Sequence, residues 1–338
     1  MRTIVTSIIF LLVLAACSRP AAAPLPPPKS IDELRAEDRD VELALIGEID
    51  GGSGFSAFLF SYESADLNVH AFVAVPDGPL PKNGFPVLIA NHGHHPNPPQ
   101  YGITAEGKDW RPGDYYRRIP ELFVARGFMV VMPDFRGHNN SEGFEFTEGL
   151  LESSYYSEDV LNLLAGLPTL PLADPDKVFM WGHSMGGEVT LRSLLATDRV
   201  RGASMWSSVG GEIWDQAYYY SRYEDPDAFD SSETPKSVVE RLRGRLAAFD
   251  NEFDYRGSEP LRHLDLLQTP IIIQHSVGDR GAAYKWSERL AKELYLHDKK
   301  YAFYSYPGGN HLFNDEDMQL AVERDAAFFN ALMDADSD

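Results

Sequence analysis

Cysteine and basic residues are both scarce in this chain of 338 residues. The only cysteine is Cys17, so no disulfide can form within the chain and this thiol needs another role. Lys and Arg number 30 against 51 Asp and Glu, which leaves a formal net charge of -21 at pH 7. Such a charge repels phosphate backbones and anionic surfaces, so we expect no nucleic-acid partner.

The apolar run near the N-terminus is short as well, within the segment MRTIVTSIIFLLVLAAC. From Ile4 to Leu14 it spans about eleven residues, too few to cross a bilayer but typical of the apolar part of a signal peptide. Cys17 directly follows Leu-Ala-Ala, which resembles the bacterial lipobox. The resemblance implies removal of residues 1–16 and a lipid on Cys17, whereas a secretory signal cut near residues 21–23 is the alternative.

Residues 17–40 are predicted to form a tether that holds the protein to a lipid bilayer. The segment SRPAAAPLPPPKS contains five prolines, which favour an extended polyproline conformation. The lipobox resemblance implies a bacterial lipoprotein of the cell envelope. Ser18 after the cysteine favours the outer membrane, facing the periplasm or the exterior.

From residue 41 the pattern predicts a single α/β domain that extends to residue 338. Short β-rich runs separated by Gly, Asp and Asn predict antiparallel strands first. From Pro86 onward, apolar runs of strand length alternate with helical stretches, which indicates a mostly parallel, doubly wound sheet. Residues 210–263 show no clear strand, so we predict a helical cap inserted between two strands of the sheet.

The segment MWGHSMGG places Ser184 between a predicted strand and a predicted helix. Gly182 and Gly186 allow the sharp turn, so the segment is interpreted as a nucleophile elbow, Gly-x-Ser-x-Gly. A serine hydroxyl needs a base, and the base needs an orienting group. Asp279 and His311 each follow a predicted strand in the order that this chemistry requires. The sequence therefore predicts a triad of Ser184, Asp279 and His311.

A developing oxyanion needs fixed hydrogen-bond donors. The backbone N–H of Met185, directly after the nucleophile, is predicted to be one of them. The other is expected from the segment NHGHH, at the end of an earlier strand. A metal site at these histidines is the competing interpretation, but no carboxylate or cysteine partner has a recognisable spacing. We therefore predict no metal and no cofactor.

Over most of residues 60–335 the sequence resembles the catalytic domain of the prolyl oligopeptidase (S9) family, within the α/β-hydrolase superfamily. It is also similar to dienelactone-hydrolase-like esterases. The resemblance is carried by the segments NHG, PDFRGHNNSEG, DPDKVFMWGHSMGG, TPIIIQHSVGD and YPGGNH. It implies the same three catalytic residues, and it implies a structural turn at Asp134 and Arg136.

The resemblance also bears on the second oxyanion donor. It implies the side chain of His92, with the backbone N–H of His94 as the rival. The usual His-Gly-Gly-Pro of the family is His-Gly-His-His in this chain. About 50 residues of tether and antiparallel strands stand where large family members carry a β-propeller that screens peptides.

The predicted function is a membrane-tethered serine hydrolase that cleaves a carboxylic ester or a small amide through an acyl-enzyme on Ser184. An S9-like aminopeptidase or dipeptidyl-peptidase acting on short peptides is the alternative. That activity needs a carboxylate to hold a free amine, and Glu188 and Glu212 are near in sequence. A non-catalytic binding protein on a hydrolase fold is the third interpretation, although such proteins commonly lack a triad member.

Aromatic residues are dense in the cap segment EIWDQAYYYSRYEDPDAF. They predict an apolar or aromatic acyl pocket that includes Trp214, Tyr218 and Tyr219. Packing of the cap onto the sheet would produce the same pattern. Arg222 and Arg280 are the nearest candidates for a substrate carboxylate.

Overall fold

The computed structural model describes residues 25–101, 116–147, 150–224, 236–249 and 254–334. The strands are β1 (Ala44–Gly52), β2 (Phe55–Ser64), β3 (Leu67–Pro76), β4 (Phe85–Asn91), β5 (Met129–Pro133), β6 (Ala173–His183), β7 (Gly202–Trp206), β8 (Ile271–Ser276) and β9 (Tyr301–Tyr306). The α-helices are α1 (Ile31–Ala36), α2 (Arg118–Val124), α3 (Glu152–Gly166), α4 (Met185–Ala196), α5 (Ile213–Glu224), α6 (Lys236–Ala248), α7 (Tyr284–Leu296) and α8 (Asp315–Asp334).

All of these strands join one sheet in the order β1-β2-β3-β5-β4-β6-β7-β8-β9. The pairs β1–β2, β2–β3 and β3–β5 are antiparallel. The remaining neighbours, from β5 through β4 to β9, are parallel. The predicted fold class is therefore confirmed, with antiparallel strands first and a mostly parallel sheet after them.

Helices cover both faces of the parallel strands, which explains why these strands read as continuous apolar runs. One face packs against α3, α4 and α7, through residues such as Val160, Val189 and Leu290. The other face packs against α2 and α8, through residues such as Phe123 and Phe329. The carboxyl ends of the parallel strands all point to the same edge of the sheet, so the loops that follow them lie close together.

The N-terminal segment from residue 25 to residue 40 packs onto the domain and is not an extended tether. Ser30 caps α1: its hydroxyl accepts a hydrogen bond from the N–H of Glu33, whose carboxylate accepts one from the N–H of Ser30. Ile31 is buried, and α1 lies against α4. The part of the predicted tether from residue 25 onward is thus folded against the domain, because α1 has an apolar side that the proline-rich composition masked.

Residues 1–24, which hold the predicted signal peptide and Cys17, lie outside the described residues. Within the described ranges, no helix has the length and apolar character needed to cross a membrane.

The insertion between β7 and β8 contains α5 and α6, which pack against each other. Ala217 of α5 and Leu242 of α6 have no exposed surface, so both helices join the main core. Residues 225–235 and 250–253 of the insertion are outside the described residues. In its described part the predicted cap is therefore helical.

Candidate active site

Ser184 occupies the sharp turn between β6 and α4. Its backbone has φ 57° and ψ -123°, a conformation that is strained for a residue with a side chain and that is expected of a nucleophile elbow. A Cβ atom at Gly182 would lie 2.3 Å from the carbonyl oxygen of Gly186, and one at Gly186 would lie 2.0 Å from that of Asn91. The turn accepts no side chain at either glycine.

The other two predicted triad residues follow neighbouring strands of the sheet, Asp279 after β8 and His311 after β9. Nδ1 of His311 is 2.8 Å from Oδ2 of Asp279. Because Nδ1 donates its proton to the carboxylate, Nε2 is left to accept a proton from a nucleophile. His311 and Ser184 line the same cavity, so the structure brings the three residues together.

Asp279 is held by more groups than the triad requires. Its Oδ1 accepts hydrogen bonds from the backbone N–H groups of Gly281, at 2.7 Å, and Ala282, at 3.3 Å. His275 of β8 places Nε2 3.2 Å from Oδ2. Burial raises the pKa of Asp279, but the contacts with His275 and His311 outweigh it and hold that pKa below its ordinary value. Asp279 is therefore ionised at neutral pH.

Gly281 belongs to the site, although no sequence motif pointed to it. Its N–H binds Asp279, and a Cβ atom at this position would lie 2.6 Å from Cγ of the His311 ring. The imidazole therefore packs directly on the backbone of Gly281. The only signal in the sequence is the position of this glycine two residues after the acid.

Met185 and His94 line the same cavity as Ser184. Met185 is the first residue of α4, and N–H groups in the first turn of a helix have no acceptor within the helix. The N–H of Met185 is therefore available for a developing oxyanion.

His92 is fully buried and does not line the cavity. Its ring stacks on Tyr101 with 4.1 Å between centroids, and its Nδ1 lies 2.7 Å from the carbonyl oxygen of Gly93. The N–H and C=O of a trans peptide point in opposite directions, so this contact turns the N–H of His94 away from the buried ring. The geometry thus favours the backbone of His94, and not the side chain of His92, as the second donor.

The cavity beside Ser184 has a volume of about 430 Å³. This volume falls within the range of roughly 300–1,000 Å³ that is common for small-molecule sites. The lining residues come from the loops at the sheet edge, from α3 and α4, and from both helices of the cap: His94, Leu150, Glu152, Ser153, Ser184, Met185, Glu188, Val209, Gln216, Tyr220, Val238, Arg241, Gly281 and His311.

Comparison with known proteins identifies the family. The sequence profile of the prolyl oligopeptidase family, peptidase S9, matches residues 115–336, which is more than half of the chain. The chain belongs to the prolyl oligopeptidase family. It is a serine hydrolase with the α/β-hydrolase fold.

Proteins similar to this family member include peptidases and an esterase. A Bacillus subtilis (strain 168) protein described as "Uncharacterized peptidase YtmA" is 24% identical over 270 residues, which cover 79% of this chain and 90% of that protein. A puromycin-hydrolyzing peptidase of Mycobacterium tuberculosis has a TM-score of 0.59 and 21% identity, over 86% of this chain and 39% of that one. Acetyl Xylan Esterase 1 from Thermoanaerobacterium sp. JW/SL YS485 has a TM-score of 0.56 and 17% identity, over 88% and 94%.

The chain thus spans about two fifths of the length of the Mycobacterium tuberculosis peptidase and nearly all of the esterase. At these identities, the two solved structures show a shared fold and nothing finer.

In this member of the prolyl oligopeptidase family, the described cavity beside Ser184 is lined by other residues than the aromatic ones predicted in the cap. Trp214, Tyr218 and Tyr219 are not among the residues that line the cavity. The side chains of α5 that do line it are Gln216 and Tyr220. These two residues are four positions apart and share one face of the helix, whereas Trp214 and Tyr218 are each two positions from Gln216 and lie on the opposite side.

Two of the three predicted aromatic residues make packing contacts within the protein, and the third is exposed to solvent. Nε1 of Trp214 donates to the hydroxyl of Tyr255 at 3.1 Å, and the hydroxyl of Tyr219 donates to the carbonyl of Arg280 at 2.8 Å. Tyr218 is exposed. The packing interpretation of this aromatic cluster therefore describes Trp214 and Tyr219.

Of the charged residues predicted to bind substrate, only some line the cavity. Glu188 lines the cavity, but its carboxylate is bound to Arg192 at 2.8 Å and to Gln216 at 3.1 Å. Glu212 pairs with Arg289 and is not a lining residue, and neither are Arg222 and Arg280. The charged lining residues that the sequence did not suggest are Glu152 of α3 and Arg241 of α6.

The histidines of the segment NHGHH have different surroundings. His92 is buried, His94 lines the cavity, and Nδ1 of His95 lies 2.7 Å from the carbonyl oxygen of Asn97. In the part of the chain that the structure describes, no group of three or more His, Cys, Asp or Glu residues is arranged to hold a metal ion.

Proposed function

We propose that this serine hydrolase cleaves small carboxylic esters through an acyl-enzyme on Ser184, with His311 as the base and Asp279 as the group that orients it. The supporting observation is the 2.8 Å contact between His311 Nδ1 and Asp279 Oδ2 beside a strained serine in one cavity. A binding protein would have no need for this arrangement.

The proposed reaction has two halves. In the first, Oγ of Ser184 bonds to the substrate carbonyl carbon while its proton passes to Nε2 of His311. His311 then gives this proton to the leaving oxygen, the C–O bond breaks, and the acyl-enzyme remains. In the second half, water attacks the acyl carbon and loses a proton to His311, which returns it to Ser184 as the acid leaves.

Two backbone groups are proposed to stabilise the oxyanion that forms in each half. They are the N–H of Met185 and the N–H of His94, which belong to residues that line the cavity together with Ser184. Each such donor contributes a factor of about 10² to 10³ in rate where single donors have been removed from serine hydrolases.

Peptide hydrolysis is the second candidate, and the family match together with the peptidase description of the Bacillus subtilis relative favours it. An aminopeptidase or dipeptidyl-peptidase needs an acid in the cavity for the free amine. Glu152 and Glu188 both line the cavity and are the two candidates, and the carboxylate of Glu188 is bound to Arg192 and Gln216. The cavity of about 430 Å³ suits a small acyl group in either reaction.

The test is hydrolysis of an ester and an amide that carry the same acyl group, by residues 25–338 and by the Ser184→Ala variant. We expect ester turnover that falls at least about 10⁴-fold in the variant, because the nucleophile is lost. Turnover of the ester alone supports an esterase, and turnover of both supports the peptidase. Absence of turnover together with absence of fluorophosphonate labelling would refute the proposal.

We also propose that a lipid on Cys17 tethers the enzyme to the bacterial envelope. The support is the lipobox-like segment LAAC, which lies a short distance before residues 25–40 that pack on the domain. An extended linker between them would reach roughly 25 Å. The full chain should partition into the detergent phase on Triton X-114 extraction and its Cys17→Ala variant into the aqueous phase. An aqueous-phase wild type would contradict the tether.

A further inference from the structure

Tyr116 links the loop after β4 to the turn of the nucleophile. Its hydroxyl accepts a hydrogen bond from the N–H of Gly93 at 3.0 Å and donates one to Nδ1 of His183 at 2.8 Å. Tyr116 and His183 are both nearly fully buried, and neither lines the cavity. The contact is therefore internal and cannot act on a substrate directly.

His183 continues this connection to the base. Its Nε2 lies 3.0 Å from the carbonyl oxygen of His311, and the two imidazole rings are 4.5 Å apart. Because Nδ1 accepts from Tyr116, Nε2 carries the proton and donates it to that carbonyl. One tautomer of a neutral ring satisfies both contacts. Burial and the neighbouring His311 lower the pKa of His183 to about 3, so the ring stays neutral at working pH.

We propose that Tyr116 and His183 are positioning residues that fix the distance between the oxyanion donor at His94 and the base His311 across Ser184. The inference rests on the proposed roles of His94 and His311. Gly93 directly precedes His94, and its space is closed on two sides: a Cβ atom there would lie 2.7 Å from the Tyr116 hydroxyl and 3.0 Å from Cβ of Ser184. These contacts form a bridge from Gly93 through Tyr116 and His183 to His311. A shift of the backbone at one end of this bridge is thus passed to the other end.

This bridge depends on the hydrogen bonds of Tyr116 and His183, and not only on the space that their rings fill. Desolvating a hydroxyl and an imidazole is unfavourable unless each finds a partner, and here every polar atom of the bridge has one. The bridge runs between two loops that follow different strands, β4 and β9. Its geometry therefore bears on catalysis, because a displacement of about 1 Å at such a site can cost about 100-fold in rate.

The first test is Tyr116→Phe, which keeps the ring and removes the hydroxyl. We expect kcat for the ester to fall about 10-fold to 100-fold while KM changes less than about 3-fold. The matched control is Tyr155→Phe. This variant also removes one hydroxyl of a buried tyrosine, which donates to the carbonyl of Pro26 at 2.7 Å, and it should leave kcat unchanged. An unchanged kcat in Tyr116→Phe would overturn the proposal.

The second test is a double-mutant cycle of Tyr116→Phe with His183→Ala. Residues of one bridge are not independent, so the double variant should lose no more kcat than His183→Ala alone. Two losses that multiply would mean that the residues act separately, which contradicts the bridge.

The third test needs no turnover and so separates this inference from the proposed function. In protein labelled with ¹⁵N at histidine, the ring shifts of His183 should report a neutral ring protonated at Nε2 from pH 5 to pH 8. Tyr116→Phe should shift the Nδ1 signal. A ring protonated at Nδ1, or at both nitrogens, would overturn the bridge even if the wild type proved inactive.

Discussion

The site has two functional sides, the base with its orienting acid and the oxyanion donors, and they are built from different parts of the polypeptide. On one side, the side chains of His311 and Asp279 contact each other, and His311 lines the cavity together with Ser184. On the other side, the proposed donors are backbone N–H groups of Met185 and His94, and the buried ring of His92 only turns a peptide. Substitution of a side chain should therefore lower kcat strongly on the first side and only weakly on the second.

The largest effect that separates the two sides is expected from Asp279→Asn. An amide at this position stops holding His311 in the tautomer that presents Nε2 to Ser184, so kcat should fall about 10³-fold to 10⁴-fold. Ester turnover measured beside Ser184→Ala checks this. A loss of less than tenfold would mean that His275 or another group already orients the base.

The same variant has a stability readout with a defined sign. The folded-state pKa of Asp279 lies below its ordinary value, so its carboxylate stabilises the fold above about pH 4. This contribution disappears as pH falls through the folded-state pKa. Urea unfolding at pH 7 and pH 3 should therefore show a larger difference between wild type and Asp279→Asn at pH 7.

An intermediate effect is expected from Gly281→Ala, which adds one methyl group to the first side. The new Cβ would collide with the ring of His311, so the imidazole must move and kcat should fall about 10-fold to 100-fold. Gly47→Ala is the control, because a Cβ there meets nothing within 4 Å. Equal activity in the two variants would show that the His311 ring can accommodate the added methyl group without losing its catalytic position.

The smallest effect is expected from His94→Ala on the second side. The N–H that faces the oxyanion belongs to the backbone and survives this substitution, so kcat should change less than about 3-fold. His92→Ala should be worse, by about tenfold, because its ring holds the carbonyl of Gly93. Steady-state measurement of kcat for both variants checks this prediction. A larger loss of kcat in His94→Ala than in His92→Ala would mean that the side chain of His94, and not its backbone N–H, takes part in the reaction.

This contrast also explains which parts of the site could be predicted from the sequence. Ser184, Asp279 and His311 are recognisable because residue type and position after a strand both matter for side-chain chemistry. The choice between His92 and His94 could not be made, since a backbone donor leaves no mark on residue identity. Gly281 was missed because its role depends on the His311 ring, which comes from a distant strand.

For the fold, apolar runs and helical periodicity were sufficient to predict the mixed sheet and its helical layers. At two places the structure differs from the predicted arrangement for local reasons. The prolines hid α1, whose capping residue Ser30 follows directly after them. In the cap, composition identified aromatic residues, but the rotation of α5 decides which of them face the cavity, and it selects Tyr220 over its neighbours.

The order of the strands has a consequence for how the protein acquires activity. The site residues come from the ends of four parallel strands: Gly93 follows β4, Ser184 follows β6, Asp279 follows β8 and His311 follows β9. The parallel pairs β4–β6 and β8–β9 each join strands that are separated by a long connection in the chain. Contacts so distant along the chain form slowly during folding, whereas helices form early. On refolding, regain of turnover should therefore lag behind the far-ultraviolet circular dichroism signal and report the moment at which the last strand docks.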